Sequence, residues 1–98
     1  MTAPTDHQTT AGQVTMRYWA SARAAAGTDS DALDVHGPVP LADLVQRVRA
    51  AHASSRFSDV LACCSVMVGD RPVTTEDPSA VMVEPGSTVE FLPPFAGG

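Results

Sequence analysis

Phe91-Leu92-Pro93-Pro94-Phe95-Ala96-Gly97-Gly98 closes the chain, and the rest of the sequence is best read outward from it. Apolar residues and two prolines run up to a bare glycine pair, where a terminus is ordinarily frayed and free to vary. Adjacent prolines hold φ near −65° and favour an extended path, so the final four residues are expected to stand away from the body. At roughly 3.3–3.6 Å per extended residue, they carry the terminal carboxylate about 13 Å out. Gly97 and Gly98 lack a Cβ, which lets such a tail enter a slot too narrow for other residues. The free carboxylate, with a pKa of about 3.3–3.7, is ionised at neutral pH and a poor electrophile. Activated as a mixed anhydride with a nucleotide phosphate, it becomes open to a sulfur or nitrogen nucleophile. A lone Gly-Gly end would read as a plain flexible terminus; the apolar lead-in favours a tail that threads into a partner and carries the reactive group.

Upstream of the tail, Thr88 to Leu92 alternates as a last strand, with Val89 and Phe91 on one face and Glu90 and Leu92 on the other. Pro85-Gly86 before it stands in the order of a type II turn. Ser65-Val66-Met67-Val68 reads as a strand, Gly69-Asp70 as a tight turn and Arg71-Pro72-Val73 as a short return strand that Pro72 confines to an edge. Thr74 to Ala80 is loop-like. Ala53 to Ala62 stays open between one helical turn, built on Phe57, Val60 and Leu61, and a loop of similar span.

Further back, Leu41, Leu44, Val45 and Val48 recur at the spacing of an amphipathic helix that covers the core. Asp43 in its first turn, with Arg47, Arg49 and His52 toward its end, complements the helix dipole. Pro40 stands where a Ser or Thr cap is usual. Near the start, Val14, Met16 and Tyr18 alternate with Thr15 and Arg17 as a half-buried strand, and Trp19 falls on the outer face. Ser21 to Ala26 is an alanine-rich short helix stopped by Gly27, and Asp31 to His36 alternates again, completing a hairpin. The expected organisation is a flexible leader at residues 1–12, one domain at 13–92 and a projecting tail at 93–98. Its order of elements is α+β, that of a β-grasp fold with a mixed sheet of four to five strands wrapped around one main helix.

Composition excludes several classes. Eleven acidic against six basic residues give a net charge of −5, which argues against nucleic acid and suits a basic protein partner. A mean hydropathy of +0.01 with no long apolar run encodes no membrane helix, and the first ten residues lack the basic start and apolar centre of a secretory signal. A cytoplasmic location is expected. Adjacent Cys63 and Cys64 close no long loop and offer no zinc spacing; they read as small, partly buried residues beside a strand. His7, His36 and His52 are scattered, read as surface residues, and indicate no metal site.

The closing octapeptide resembles that of the molybdopterin synthase small subunits, within the ubiquitin-like sulfur carriers that also include the thiazole-synthesis carrier. Val14 to Thr28 is similar to the first strand and short helix of that family. The resemblance implies that Gly98 is adenylated by a ubiquitin-activating-type adenylyltransferase, that a persulfide from a sulfur donor protein displaces the nucleotide, and that a C-terminal thiocarboxylate results. It further implies that the tail enters the large subunit of molybdopterin synthase and donates sulfur to cyclic pyranopterin monophosphate. Gly98 would be the reactive residue and Gly97 the clearance residue; Ala96, Phe95, Pro94 and Pro93 would form the tail, and Leu92 and Phe91 would meet the partner. Phe95 is bulkier than the small branched residue expected before Ala-Gly-Gly. No cofactor is implied beyond the ATP used by the activating partner, and the chain would be a sulfur-donating subunit with no catalysis of its own. Carriage of sulfur for thiamine thiazole or cysteine synthesis, isopeptide modification of proteins and a purely structural adaptor are the alternatives.

Overall fold

The structure, a computed structural model, describes residues 12–94. The leader expected at the N-terminus lies outside the described residues except for Gly12, which opens the first strand. Strand β1 (Gly12–Tyr18) and strand β2 (Ser30–Val35) pair antiparallel, with Val14 opposite Leu33 and Met16 opposite Asp31. Helix α1 (Ala20–Ala26) lies between them and ends on Gly27, whose φ of 76° is left-handed and whose N–H bonds Arg23 O at 2.9 Å. A residue without Cβ holds that cap with no strain.

A two-residue strand β3 (Val39–Pro40) leads into helix α2 (Leu41–Ala51), which buries Leu41, Leu44 and Val48 and has no side-chain cap. Helix α3 (Ser55–Ala62) follows, over the stretch that the sequence leaves open between one turn and a loop. Ser54 caps it, accepting from Phe57 N–H at 3.3 Å, and Phe57 and Leu61 are its buried residues. Strand β4 (Ser65–Val68) turns through Gly69 (φ 62°) into the short strand β5 (Arg71–Pro72), and strand β6 (Met82–Val83) pairs with β3. That small second sheet is an addition to the expected organisation. The last strand, β7 (Thr88–Leu92), is reached through Gly86 at φ 90°.

The main sheet runs β2-β1-β7-β4-β5, with β1 and β7 parallel at its centre and the other pairs antiparallel. Pro72 sits on the edge strand, as its missing N–H requires. This is the β-grasp fold, an α+β architecture. Period-two alternation sends Val14, Met16 and Tyr18 from β1 and Val89 and Phe91 from β7 to the helix side, where they meet Leu44, Val48 and Phe57 in one core. Among the described residues no helix is long and apolar enough to cross a membrane.

Candidate functional site

The parallel pairing of β1 and β7 fixes what surrounds the root of the tail. Tyr18 stands opposite Phe91, and the pairing extends one step further as Trp19 N–H donates to Phe91 O at 3.2 Å. Because neighbours on a strand face opposite ways, burying Tyr18 and Phe91 puts Trp19 and Leu92 together on the outer face. Met67 joins them, since β4 places it opposite Glu90 while Val66 stands opposite Phe91. Trp19, Ser65, Met67, Leu92, Pro93 and Pro94 line one largely apolar groove.

Trp19 is held on both sides. The Arg17 guanidinium carbon lies 4.9 Å from the centre of its ring, and its indole N–H donates to Glu90 Oε2 at 3.1 Å. A cation over the ring face and an acceptor at its edge fix an aromatic that is still 39% exposed. Such an anchor has already lost its side-chain freedom before a partner arrives, so little further entropy is lost on binding. The chain leaves Trp19 through Ala20 at φ 51°, a left-handed conformation uncommon without glycine, and Ala20 and Ser21 at the start of α1 also line the groove.

The predicted site residues divide along this geometry. Pro93 and Leu92 are half-buried and Pro94 is exposed, all three on the groove. Phe91 does not face a partner: it is 1% exposed and stacks on Tyr18 with ring centres 5.9 Å apart, because the β7 alternation turns it into the core. Phe95, Ala96, Gly97 and Gly98 lie outside the described residues. Nothing in the sequence alone singles out Met67, since four residues of β4 do not reveal their faces without the pairing to β7.

Cys63 is exposed in a shallow depression beside Pro93 and Pro94, whereas Cys64 is buried and donates to Val60 O at 3.3 Å. Burial pushes the Cys64 thiol up to about 11, with the neighbouring Cys63 adding to the rise. On the helix side Tyr18 donates to Asp31 Oδ2 at 2.7 Å, and His52 Nε2 meets the same oxygen at 2.6 Å. His52 is therefore half-buried, where the sequence suggests a surface residue, and it packs against Phe57 with ring centres 4.7 Å apart. Burial, then the hydrogen bond to Asp31 and its charge, raise the Tyr18 phenol well above its ordinary value. Among the described residues no three His, Cys, Asp or Glu side chains gather closely enough to hold a metal ion.

No family model matches the chain. A molybdopterin synthase sulfur carrier subunit from Aspergillus niger is 31% identical over 83 residues, covering 85% of this chain and 91% of that protein. Among solved structures, the small archaeal modifier protein 1 of Haloferax volcanii superposes with a TM-score of 0.71 at 19% identity, covering 89% of this chain and all of the other. A Pyrococcus furiosus protein described as a candidate subunit 1 of the molybdopterin converting factor gives 0.68 at 20% identity, covering 86% and 99%. The two structures share the fold with this chain; the Aspergillus protein is similar to it in sequence.

Proposed function

Since the chain belongs to the family of ubiquitin-like sulfur carriers, we propose that it is the small subunit of a molybdopterin synthase, with Gly98 as the atom-bearing end. The Gly98 carboxylate oxygen attacks the α-phosphorus of ATP on an adenylyltransferase, and pyrophosphate leaves. A persulfide of a sulfur donor protein then attacks the carbonyl carbon; the bond to the phosphate oxygen breaks and AMP departs. A thiol cleaves the resulting sulfur–sulfur bond, leaving a thiocarboxylate on Gly98 and a disulfide on the donor side. The large synthase subunit receives the tail, and the sulfur passes to cyclic pyranopterin monophosphate.

What supports this reading is the continuity of the groove with the tail root. Trp19, Met67 and Leu92 run without interruption into Pro93 and Pro94, so a partner that covers the outer face is already positioned to take the last four residues. The chain then contributes an anchor and a reactive end, while the partner contributes the side chains that grip the substrate's phosphate. A net charge of −5 suits a basic channel in that partner.

The test is intact-mass measurement after incubation with ATP, a persulfide donor and the adenylyltransferase. The expected product has one terminal oxygen replaced by sulfur, mapped to Gly98, and converts cyclic pyranopterin monophosphate only when the large subunit is present. A sulfur-loaded protein that serves a different acceptor would overturn the molybdopterin assignment while keeping the carrier one. Conjugates to partner lysines that survive denaturation and reducing agent, with no sulfur loading, would make the chain a protein modifier instead.

A further inference from the structure

The 98 residues contain no lysine: the six basic side chains are Arg17, Arg23, Arg47, Arg49, Arg56 and Arg71, and all six are exposed. Resting on the activation of Gly98 described above, we propose that the chain is a single-unit donor, whose activated carbonyl passes only outward. Its own surface within reach of the tail presents guanidinium groups where lysine amines would capture that carbonyl.

The capture to be avoided is ordinary aminolysis. An amine nitrogen bonds the Gly98 carbonyl carbon, the bond to the phosphate oxygen breaks, AMP leaves with the bonding pair, and the nitrogen releases a proton. The amide that results is not reversed by thiols, so each event removes one carrier from use. A lysine amine with a pKa near 10.4 is unprotonated in roughly 4 of 10,000 molecules at pH 7. Tethering to the same chain offsets that small fraction with an effective concentration on the order of millimolar. A guanidinium, with a pKa above about 12.5, is neutral at least a hundredfold less often than a lysine, and its delocalised nitrogens are poor nucleophiles.

Geometry singles out Arg17. Its guanidinium lies over Trp19, which lines the same groove as Pro93 and Pro94. Four residues follow Pro94, a chain length that spans up to about 13 Å, and Pro94 lines the same groove as Trp19. Arg71 is the contrast, because it pairs with Val68 at the end of β4 remote from Leu92. Arginine at position 17 thus keeps a cation on the Trp19 ring and withholds an amine from the tail.

The experiment loads full-length wild-type, Arg17→Lys and Arg71→Lys proteins with ATP and the adenylyltransferase, then reads intact mass and peptide maps after denaturation with a thiol. The wild type is expected to show no amide between two copies or within one. Arg17→Lys is expected to gain an internal amide, seen as loss of one water and mapped from Gly98 to residue 17, at least tenfold above Arg71→Lys. A self-linked wild type, whether through the Met1 α-amine or through a Cys63 thioester read in a thiol-free sample, overturns the proposal. So does an Arg17→Lys protein that gains no amide. A Gly98 thioester prepared chemically on the same three proteins is read in parallel; failure of the enzymatic loading then counts against the carrier reading, while the chemically loaded proteins still decide between the two positions.

Discussion

The indole N–H of Trp19 donates to the Glu90 carboxylate at 3.1 Å, tying the residue after β1 to the strand that leads into the tail. Arg17 on the ring face completes the clamp. Aromatic residues that are rigid, exposed and central to an apolar patch dominate binding energies, with truncation costing about 2–4 kcal/mol. Trp19→Ala is therefore expected to weaken binding to the proposed partner, the large synthase subunit, at least about 30-fold in calorimetry, with the melting curve little changed. Glu90→Ala, which frees the indole and leaves its surface in place, should cost less. Wild-type affinity in Trp19→Ala would exclude the outer face as the docking surface.

Phe91 and Leu92 are neighbours with opposite duties. Phe91→Ala removes a ring from between Tyr18 and the core and is expected to destabilise the fold by about 3–5 kcal/mol, much of the stability of so small a domain. Leu92→Ala, half-buried on the groove, should lose partner affinity while melting close to wild type. Equal thermal shifts in the two variants would contradict the assignment of their faces.

Alkaline unfolding should begin near the phenol. Burial and the Asp31 contact raise the Tyr18 pKa in the folded state, so ionisation is easier once the chain unfolds. The sign follows: this stability is complete below the unfolded value of about 10 and drains away as pH rises above it. Denaturant midpoints measured from pH 8 to 12 are expected to fall above pH 10. Tyr18→Phe should flatten that fall, at a cost of about 1 kcal/mol near neutrality for the lost hydrogen bond. An unchanged alkaline slope in Tyr18→Phe would assign the effect elsewhere.

Gly27 tests the backbone alone. A Cβ built there meets nothing within 4 Å, yet the φ of 76° is one that L side chains rarely adopt. Gly27→Ala should therefore destabilise by about 1 kcal/mol through conformation and without a clash. A neutral result in chemical denaturation would mean that the α1 cap relaxes.

Much of the fold is legible in the sequence alone, and the parts that are not share a cause. Alternation places Val14, Met16, Tyr18, Val89 and Leu92 correctly because strand period is a local property. The same rule puts Phe91 on the face of Val89, yet its motif, which ends in a docking tail, points to the partner; only the pairing with Tyr18 shows which face is buried. His52 reads as a surface residue because its partner Asp31 is 21 positions away. The pairing of β3 with β6 spans some forty residues and two residues per strand, too little pattern for periodicity to detect. Met67 becomes a groove residue through its register with Glu90, and Arg17 and Trp19 acquire a role through Glu90, 71 residues beyond the indole.

The adjacent cysteines should separate cleanly in reactivity. Cys63 is exposed near Pro93 and Pro94, whereas Cys64 is buried, hydrogen-bonded to Val60 O and pushed up to about 11. The rise at Cys64 cuts its thiolate fraction at pH 8 by about two orders of magnitude before burial limits access. Iodoacetamide at pH 8 is thus expected to add one group rapidly at Cys63 and a second at least tenfold more slowly. Cys63→Ser should abolish the fast phase and Cys64→Ser should leave it unchanged. Because Cys63 borders the tail root, prior alkylation there should also slow docking to the large subunit. Equal labelling rates at the two thiols would show that Cys64 is not sequestered beneath α3, and would remove the packing on which this distinction depends.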